Sequence, residues 1–293
     1  MEVSGKIVGS ELAPLRHELS WRRMMNYAAA VEDFNPLYFD DERPDGVIAP
    51  PMLAVALTWP IMERISHHLA GVDIDPAVVQ TQVHHTEHLR FYRPMRDGDQ
   101  IVITGRVAAV LPHRAGARLV LRLEARGHDG ELVFVEHIGG LLRGVGCQDG
   151  PAGQDDLPQT PAAPEAGAQP LWRAEIAIDA LRAHVYDGCT GIHFPIHTSP
   201  RFARLVGLPG VILQGTATLA YAARELINRQ AAGQAQRLES LSCRFVGMTR
   251  PGRAITARLL ARRADAAGDD LFFDVLDADG QTIIRDGHAR LRP

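Results

Sequence analysis

The stretch Thr190-Gly191-Ile192-His193-Phe194-Pro195-Ile196-His197 sets two imidazoles four residues apart, with Asp187 just ahead of them. An imidazole titrates near neutrality and can accept or deliver a proton. Downstream, Gln214-Gly215 opens an apolar run with helical spacing, Thr216–Asn228. The first turn of a helix leaves backbone N–H groups without intrahelical partners, at the positive end of the helix dipole. Gly215 can offer such an N–H, and without a side chain it lets an acceptor oxygen approach closely. A group able to carry a proton and a donor able to hold an acceptor oxygen are thus both present.

Other polar groups suggest less. His84, His85 and His88 stand at the head of a strand, where neighbouring side chains point to opposite faces. No cysteine pattern accompanies them, so no metal is expected. The pairs Arg22-Arg23, Arg201/Arg204 and Arg262-Arg263 are expected as solvated surface charge. No phosphate-binding glycine loop or dinucleotide fingerprint occurs, so no cofactor is expected.

The elements that must position these groups come in two similar sets. Asp33–Ile61 and Ile192–Ala222 share an order: a proline, an aliphatic residue and an aromatic or histidine, then a Gly-Val-Ile type run and an apolar helix. Gly46 matches Gly210, and further on Gly98 matches Gly252, each of the latter following an Arg-Phe pair and a proline. Two matches in the same order argue for a duplication. Helices are predicted at Ala54–Leu69 and Thr216–Asn228, both apolar nearly all round and therefore buried. Alternating strands are predicted at Glu87–Tyr92, Ile101–Val110, Ala117–Ala125 and Leu132–Leu142. The second set lies at Leu238–Val246, Ala254–Arg262, Leu271–Asp277 and Thr282–Leu291. Gln148–Gln169 is rich in Pro, Gly, Ala and acids, and reads as a linker with almost nothing to bury. The expected division is 1–147, a 148–169 linker, and 170–293. The fold class is α+β, with an antiparallel sheet wrapped around a central helix in each half.

The pattern resembles the MaoC-like family of (R)-specific enoyl-CoA hydratases and acyl dehydratases, in its double hotdog form. The family motif Ser-Gly-Asp-x-Asn-Pro-x-His falls on Thr190–His197, and the His-Gly that opens its central helix falls on Gln214-Gly215. The resemblance implies two hotdogs forming a pseudo-dimer, and acid/base chemistry at the carbons α and β to an acyl-CoA carbonyl. It carries His197 as proton carrier and Gly215 as carbonyl-polarising donor. The motif Asp is replaced by Ile192, the Asn by Phe194 and the helix-opening His by Gln214. His193, Asp187 and Asp33 are the candidate substitutes for the missing acid, with His193 grouped with the catalytic residues. Ile192, Phe194, Gln214, Thr216 and Tyr186 are expected to contact substrate.

The first half keeps Asp33, Asn35 and Pro36 but has Tyr38 where the His belongs, and Pro51 where Gly215 stands. Proline has no N–H. The active half is therefore expected to be the second, with the first as scaffold and acyl pocket around Ala54, Val55, Ala56 and Leu57.

The resemblance implies reversible hydration of a 2-enoyl-CoA, with a branched or dicarboxylic acyl group suggested by Ile192 and Phe194. The alternatives are a non-catalytic acyl-thioester binder, or a subunit needing a partner, and more remotely a hotdog thioesterase. The 293 residues carry a net charge of −4, which suggests neither nucleic acid nor an anionic membrane as partner. Three dispersed cysteines, Cys147, Cys189 and Cys243, imply no disulfide framework and fit a cytoplasmic location. The N-terminus has no apolar h-region. A homodimer of the pseudo-dimer is left open.

Overall fold

A computed structural model describes residues 1–69, 78, 82–164 and 169–293. The first half runs β1 (Glu2–Ser4), β2 (Glu11–Glu18), α1 (Trp21–Ala30), α2 (Pro36–Phe39), α3 (Leu53–Glu63), α4 (Ile65–His68), β3 (Gln82–Phe91), β4 (Gln100–His113), β5 (Gly116–Arg126), β6 (Leu132–Arg143) and β7 (Gly146–Gln148). The second runs β8 (Trp172–Ala177), α5 (Arg182–Thr190), α6 (Pro200–Leu205), α7 (Gly215–Gln230), β9 (Leu238–Phe245), β10 (Ala254–Asp265), β11 (Gly268–Asp277) and β12 (Thr282–Leu291).

Among the described residues, ten strands form one antiparallel sheet in the order β2-β4-β5-β6-β3-β9-β12-β11-β10-β8. The halves meet at β3 and β9, and the order is mirrored about that seam. Thr86 pairs with Arg244, His88 with Ser242 and Arg90 with Ser240. The offset that relates Gly98 to Gly252 also relates His88 to Ser242, so the pseudo-dyad passes through that pair. The inner face carries the shared core. Leu89 from β3, Phe134 and Ile138 from β6, and Leu241 from β9 join α3 and α7 in one buried cluster.

The long helix α7 forms because its sequence is rich in alanine and leucine, strong helix formers. Its residues from Thr216 to Ala223 are all buried. The first helix differs from expectation: Ala54–Leu69 splits into α3 and α4 at Arg64. Pro60 lies inside α3. A proline there cannot donate to the carbonyl four residues back. That carbonyl, Ala56 O, instead accepts from Arg23 Nη2 at 3.3 Å. Ala54, Val55, Ala56 and Leu57 are all buried in the shared core, so these side chains are packing and line no open acyl tunnel.

The linker also differs from expectation. Ala152 exchanges both backbone hydrogen bonds with Val110, at 2.9 and 3.0 Å. Asp156 pairs with Arg106 at 3.1 Å. Leu157 packs on Ala108, Ala109, Leu111 and Val120, a small apolar cluster on the outer face of the sheet. A sequence poor in apolar residues needs only one well-placed leucine and an edge of free backbone groups to dock. One basic pair is not simply solvated either. Arg262 and Arg263 bond Asp269 and Asp270 across the β10–β11 ladder.

Candidate active site at the start of α7

The site is built from the end of α5 onward. Gly191 takes the left-handed conformation at φ +76°, and its N–H donates to Asp187 O at 3.0 Å. This C-cap needs no Cβ and turns the chain sharply. Ile192 is thereby buried, with its N–H donated to Thr190 Oγ1 at 3.2 Å. A 3-10 turn over Pro195–His197 follows, then α6, whose first turn is capped by Ser199 Oγ accepting from Phe202 N at 3.2 Å.

His197 ends up only 8% exposed. Its Nδ1 lies 2.8 Å from Ile212 O. A carbonyl oxygen only accepts, so Nδ1 carries the proton and Nε2 keeps its lone pair. Burial pushes the imidazole down to about 4, opposed in part by the Ile212 carbonyl and the Asp187 carboxylate. His197 is therefore a neutral imidazole at pH 7, held in one tautomer.

Ile212 stands three residues before Gly215. Three residues span at most ~10 Å, so His197 is anchored near the start of α7. The Gln214 carbonyl accepts from Ala217 N and Thr218 N at 3.1 and 3.2 Å. Among the described residues, the Gly215 N–H donates to no acceptor. The Phe245 ring packs over this glycine. A Cβ built at Gly215 would lie 3.2 and 3.3 Å from Phe245 Cδ1 and Cε1.

The other expected contacts take varied places. Gln214 is buried, donates from Nε2 to Ala183 O at 3.1 Å, and has an Oε1 with no partner among the described residues. Thr216 accepts from Tyr186 Oη at 3.2 Å, and Tyr186 Oη lies 2.9 Å from Tyr27 Oη. This fully buried chain ties α1 and α5 to the first turn of α7. Tyr186 and Thr216 thus hold the helix start in place. Phe194 is half-buried, edge-on to His197 and to Phe202 with ring centroids 6.4 and 6.1 Å away.

The three substitutes for the motif acid separate. His193 is largely exposed, and its Nδ1 lies 2.7 Å from Asp187 Oδ2. Its imidazole is therefore engaged by Asp187, and it makes no hydrogen bond to His197 among the described residues. Asp187 remains close enough to act electrostatically on His197. Asp33 lies elsewhere. It is buried beside Asn228, with Nδ2 of that residue 3.4 Å away, at the far end of α7. At 1.5 Å per residue that is ~20 Å from Gly215. In the first half, Pro51 and Phe91 take the places of Gly215 and Phe245, and they border a cavity of only about 20 Å³. That is room for a single water.

Sequence reasoning missed a buried acid pair. Glu87 and Glu136 sit on the inner face, in phase with Leu89 and Phe134, and both are fully buried. Burial holds both carboxyls well above their ordinary range. His84 Nε2 lies 3.1 Å from Glu87 Oε2, off the hydrogen-bonding direction, and its ring stacks against Phe245 at 4.5 Å. The readable signal was a charge on the apolar phase of a strand. The three histidines of β3 do not converge: His85 faces His113 and His88 faces His137.

A single ten-stranded antiparallel sheet with one buried central helix per half defines a double hotdog protein. Comparison with known proteins sharpens this. A MaoC like domain matches residues 161–269, and a FAS1-like dehydratase domain region matches residues 6–136. A probable enoyl-CoA hydratase 2 of Dictyostelium discoideum is 23% identical over 98% of this chain and 96% of its own length. A peroxisomal enoyl-CoA hydratase 2 of Arabidopsis thaliana is 27% identical over 65% of this chain and 62% of its own length. The crystal structure of a MaoC-like dehydratase from Phytophthora capsici superposes with a TM-score of 0.82 at 20% identity, covering 98% of each chain. The second half thus carries a MaoC like domain and the first a FAS1-like dehydratase region, and the chain is an enzyme of the hydratase/dehydratase class.

Proposed function

We propose that the protein reversibly hydrates a 2-enoyl-CoA to a 3-hydroxyacyl-CoA, at one site formed by His197 and the start of α7. The observation that carries this reading is the unpaired Gly215 N–H, preorganised for the thioester oxygen, in the same half as a buried imidazole of fixed tautomer. Nε2 of His197 takes a proton from water as the water oxygen attacks Cβ. The electron pair moves through Cα to the thioester oxygen, where the Gly215 N–H stabilises the enolate. The imidazolium then returns the proton to Cα. No atom is left over, and the same steps in reverse dehydrate the product. One group thus does the work that the family divides between Asp and His. His193 would act on this step only at second hand, by engaging Asp187.

Phe194, half-buried beside His197, supplies apolar surface and no cation, which suits a branched acyl chain better than a dicarboxylic one, while Ile192 packs into the core. The dispersed thiols, all free, are consistent with the cytoplasm. Among the described residues no helix is long and apolar enough to cross a membrane.

The substitution of the motif acid by Ile192 favours a second reading, an acyl-thioester binder. Purified protein incubated with crotonyl-CoA and branched enoyl-CoAs separates them. Hydration removes the enoyl absorbance without releasing free thiol. Binding without loss of absorbance would support the binder, and free thiol would support a thioesterase.

A further inference from the structure

The outer face of the sheet carries a second feature, away from α7. On the pseudo-dyad, where β3 meets β9, a partly open cavity of about 250 Å³ lies under the docked linker. His88, His137, Ser242, Arg118 and Arg244 form its floor and wall, and Leu157 to Thr160 cross above it. The Thr160 and Ser242 hydroxyls are 3.4 Å apart.

Several donors of the cavity lack partners among the described residues: the Arg118 guanidinium, the Arg244 Nε–H and one ring N–H of each neutral imidazole. Arg118 is half-buried and has no hydrogen bond or ion pair among the described residues. Arg244 pairs with Asp286 at 2.6 Å, yet its Nε is buried without a partner. Nδ1 of His88 and both ring nitrogens of His137 are likewise buried and unpartnered. Burial, and then the neighbouring Arg244 guanidinium, make the charge of Arg118 costly to hold without a counter-ion. The neighbouring carboxylates do not relieve this. Asp286 is already engaged, and Glu87 turns its carboxyl to the inner face towards Glu136. Groups left in this state are complementary to an anion with several acceptor oxygens.

We propose that this cavity binds a phosphate-class oxyanion, either the free ion or a small phosphomonoester. A phosphate offers enough oxygens to meet Arg118, Arg244 and the two imidazoles at once, whereas a carboxylate offers two. The ligand is distinct from the acyl-CoA of the α7 site. The β3–β9 seam lies in the middle of a ten-stranded sheet, and this layer separates the two faces.

The test is calorimetric titration of the whole protein in phosphate-free buffer with inorganic phosphate, glycerol 3-phosphate and acetate at matched ionic strength. Thermal unfolding runs alongside. Wild type should bind a phosphate species saturably and gain thermal stability with it. Tighter binding of glycerol 3-phosphate would assign the site to a phosphomonoester, and tighter binding of inorganic phosphate to the free ion. Arg118→Leu should weaken binding roughly tenfold or more, because a charge-assisted hydrogen bond is lost. Without phosphate this variant should unfold no earlier than wild type, since it removes an unpaired, half-buried charge. Its crotonyl-CoA turnover should be unchanged, so this test is independent of the hydratase reading. The proposal is overturned if wild type shows no saturable phosphate binding, if acetate acts equally, or if Arg118→Leu and Arg244→Gln both keep wild-type affinity.

Discussion

His197 is set for its proposed role by two contacts with opposite effects. The Ile212 carbonyl fixes the proton on Nδ1, while burial keeps the ring neutral down to about 4. A base works only when deprotonated, so kcat/KM should hold steady as pH falls through 6.5 and decline only near 4, as a pH–rate profile would show. His197→Ala should abolish turnover with the far-UV spectrum unchanged, and Tyr38→Phe, which removes a buried hydroxyl with no partner among the described residues, should do far less. Equal losses from the two variants would contradict a site confined to one half. At this scale much was legible, because His197, Gly215 and the Pro51 contrast follow from residue identity and chain order. The fate of the candidate acids was not. Asp187 and His193 meet only because Gly191 turns the chain back, and Asp33 is removed by the length of α7. Such distances belong to the fold and not to the motif.

Two elements bear on the site from outside the motif. The Tyr27–Tyr186–Thr216 chain pins the first turn of α7. Tyr186→Phe leaves buried hydroxyls short of a partner, and should cost about 1–3 kcal/mol in urea unfolding. It should also lower kcat more than it changes KM, because it shifts the helix start and not substrate affinity. Strand β3 carries Glu87, whose carboxyl is raised by burial from 4.5 to about 8. A carboxyl raised on folding contributes stability that is fully present below its unfolded value and is lost as pH climbs to the folded one. Glu87→Gln should therefore gain thermal stability over wild type progressively from about pH 5 to about pH 8, and an unchanged gap across that range would contradict the burial account. The eight inner strands were readable from alternation, with ends shifted by a few residues, whereas the edge strands β2 and β8 were not read from the sequence. The split of α3 and α4 was less so. Pro60 was visible, but the capture of Ala56 O by Arg23 is tertiary.

The duplicated sequence resolves into one sheet with a pseudo-dyad at His88 and Ser242. The offset between the second pair of motifs already contained this register, although neither strand order nor the seam was readable from it. On the proposed reading, duplication leaves one half free of catalysis. Pro51 offers no amide hydrogen and borders a space for one water, while the first turn of α7 keeps the unpaired Gly215 amide. The linker, expected to be idle, lies across the outer face instead. The same asymmetry supplies the sharpest test, because the first half's residue can be installed in the second. Gly215→Pro removes the amide hydrogen at a position where helices tolerate proline, and the extended backbone of Gln214 accommodates it. Gly215→Ala adds a comparable Cβ against Phe245 but keeps the N–H. Enoyl-CoA hydration by the two variants, measured side by side, isolates that one hydrogen. The proline variant should be slower than the alanine variant by ~10²–10³ in kcat. Equal rates would show that the amide takes no part in catalysis.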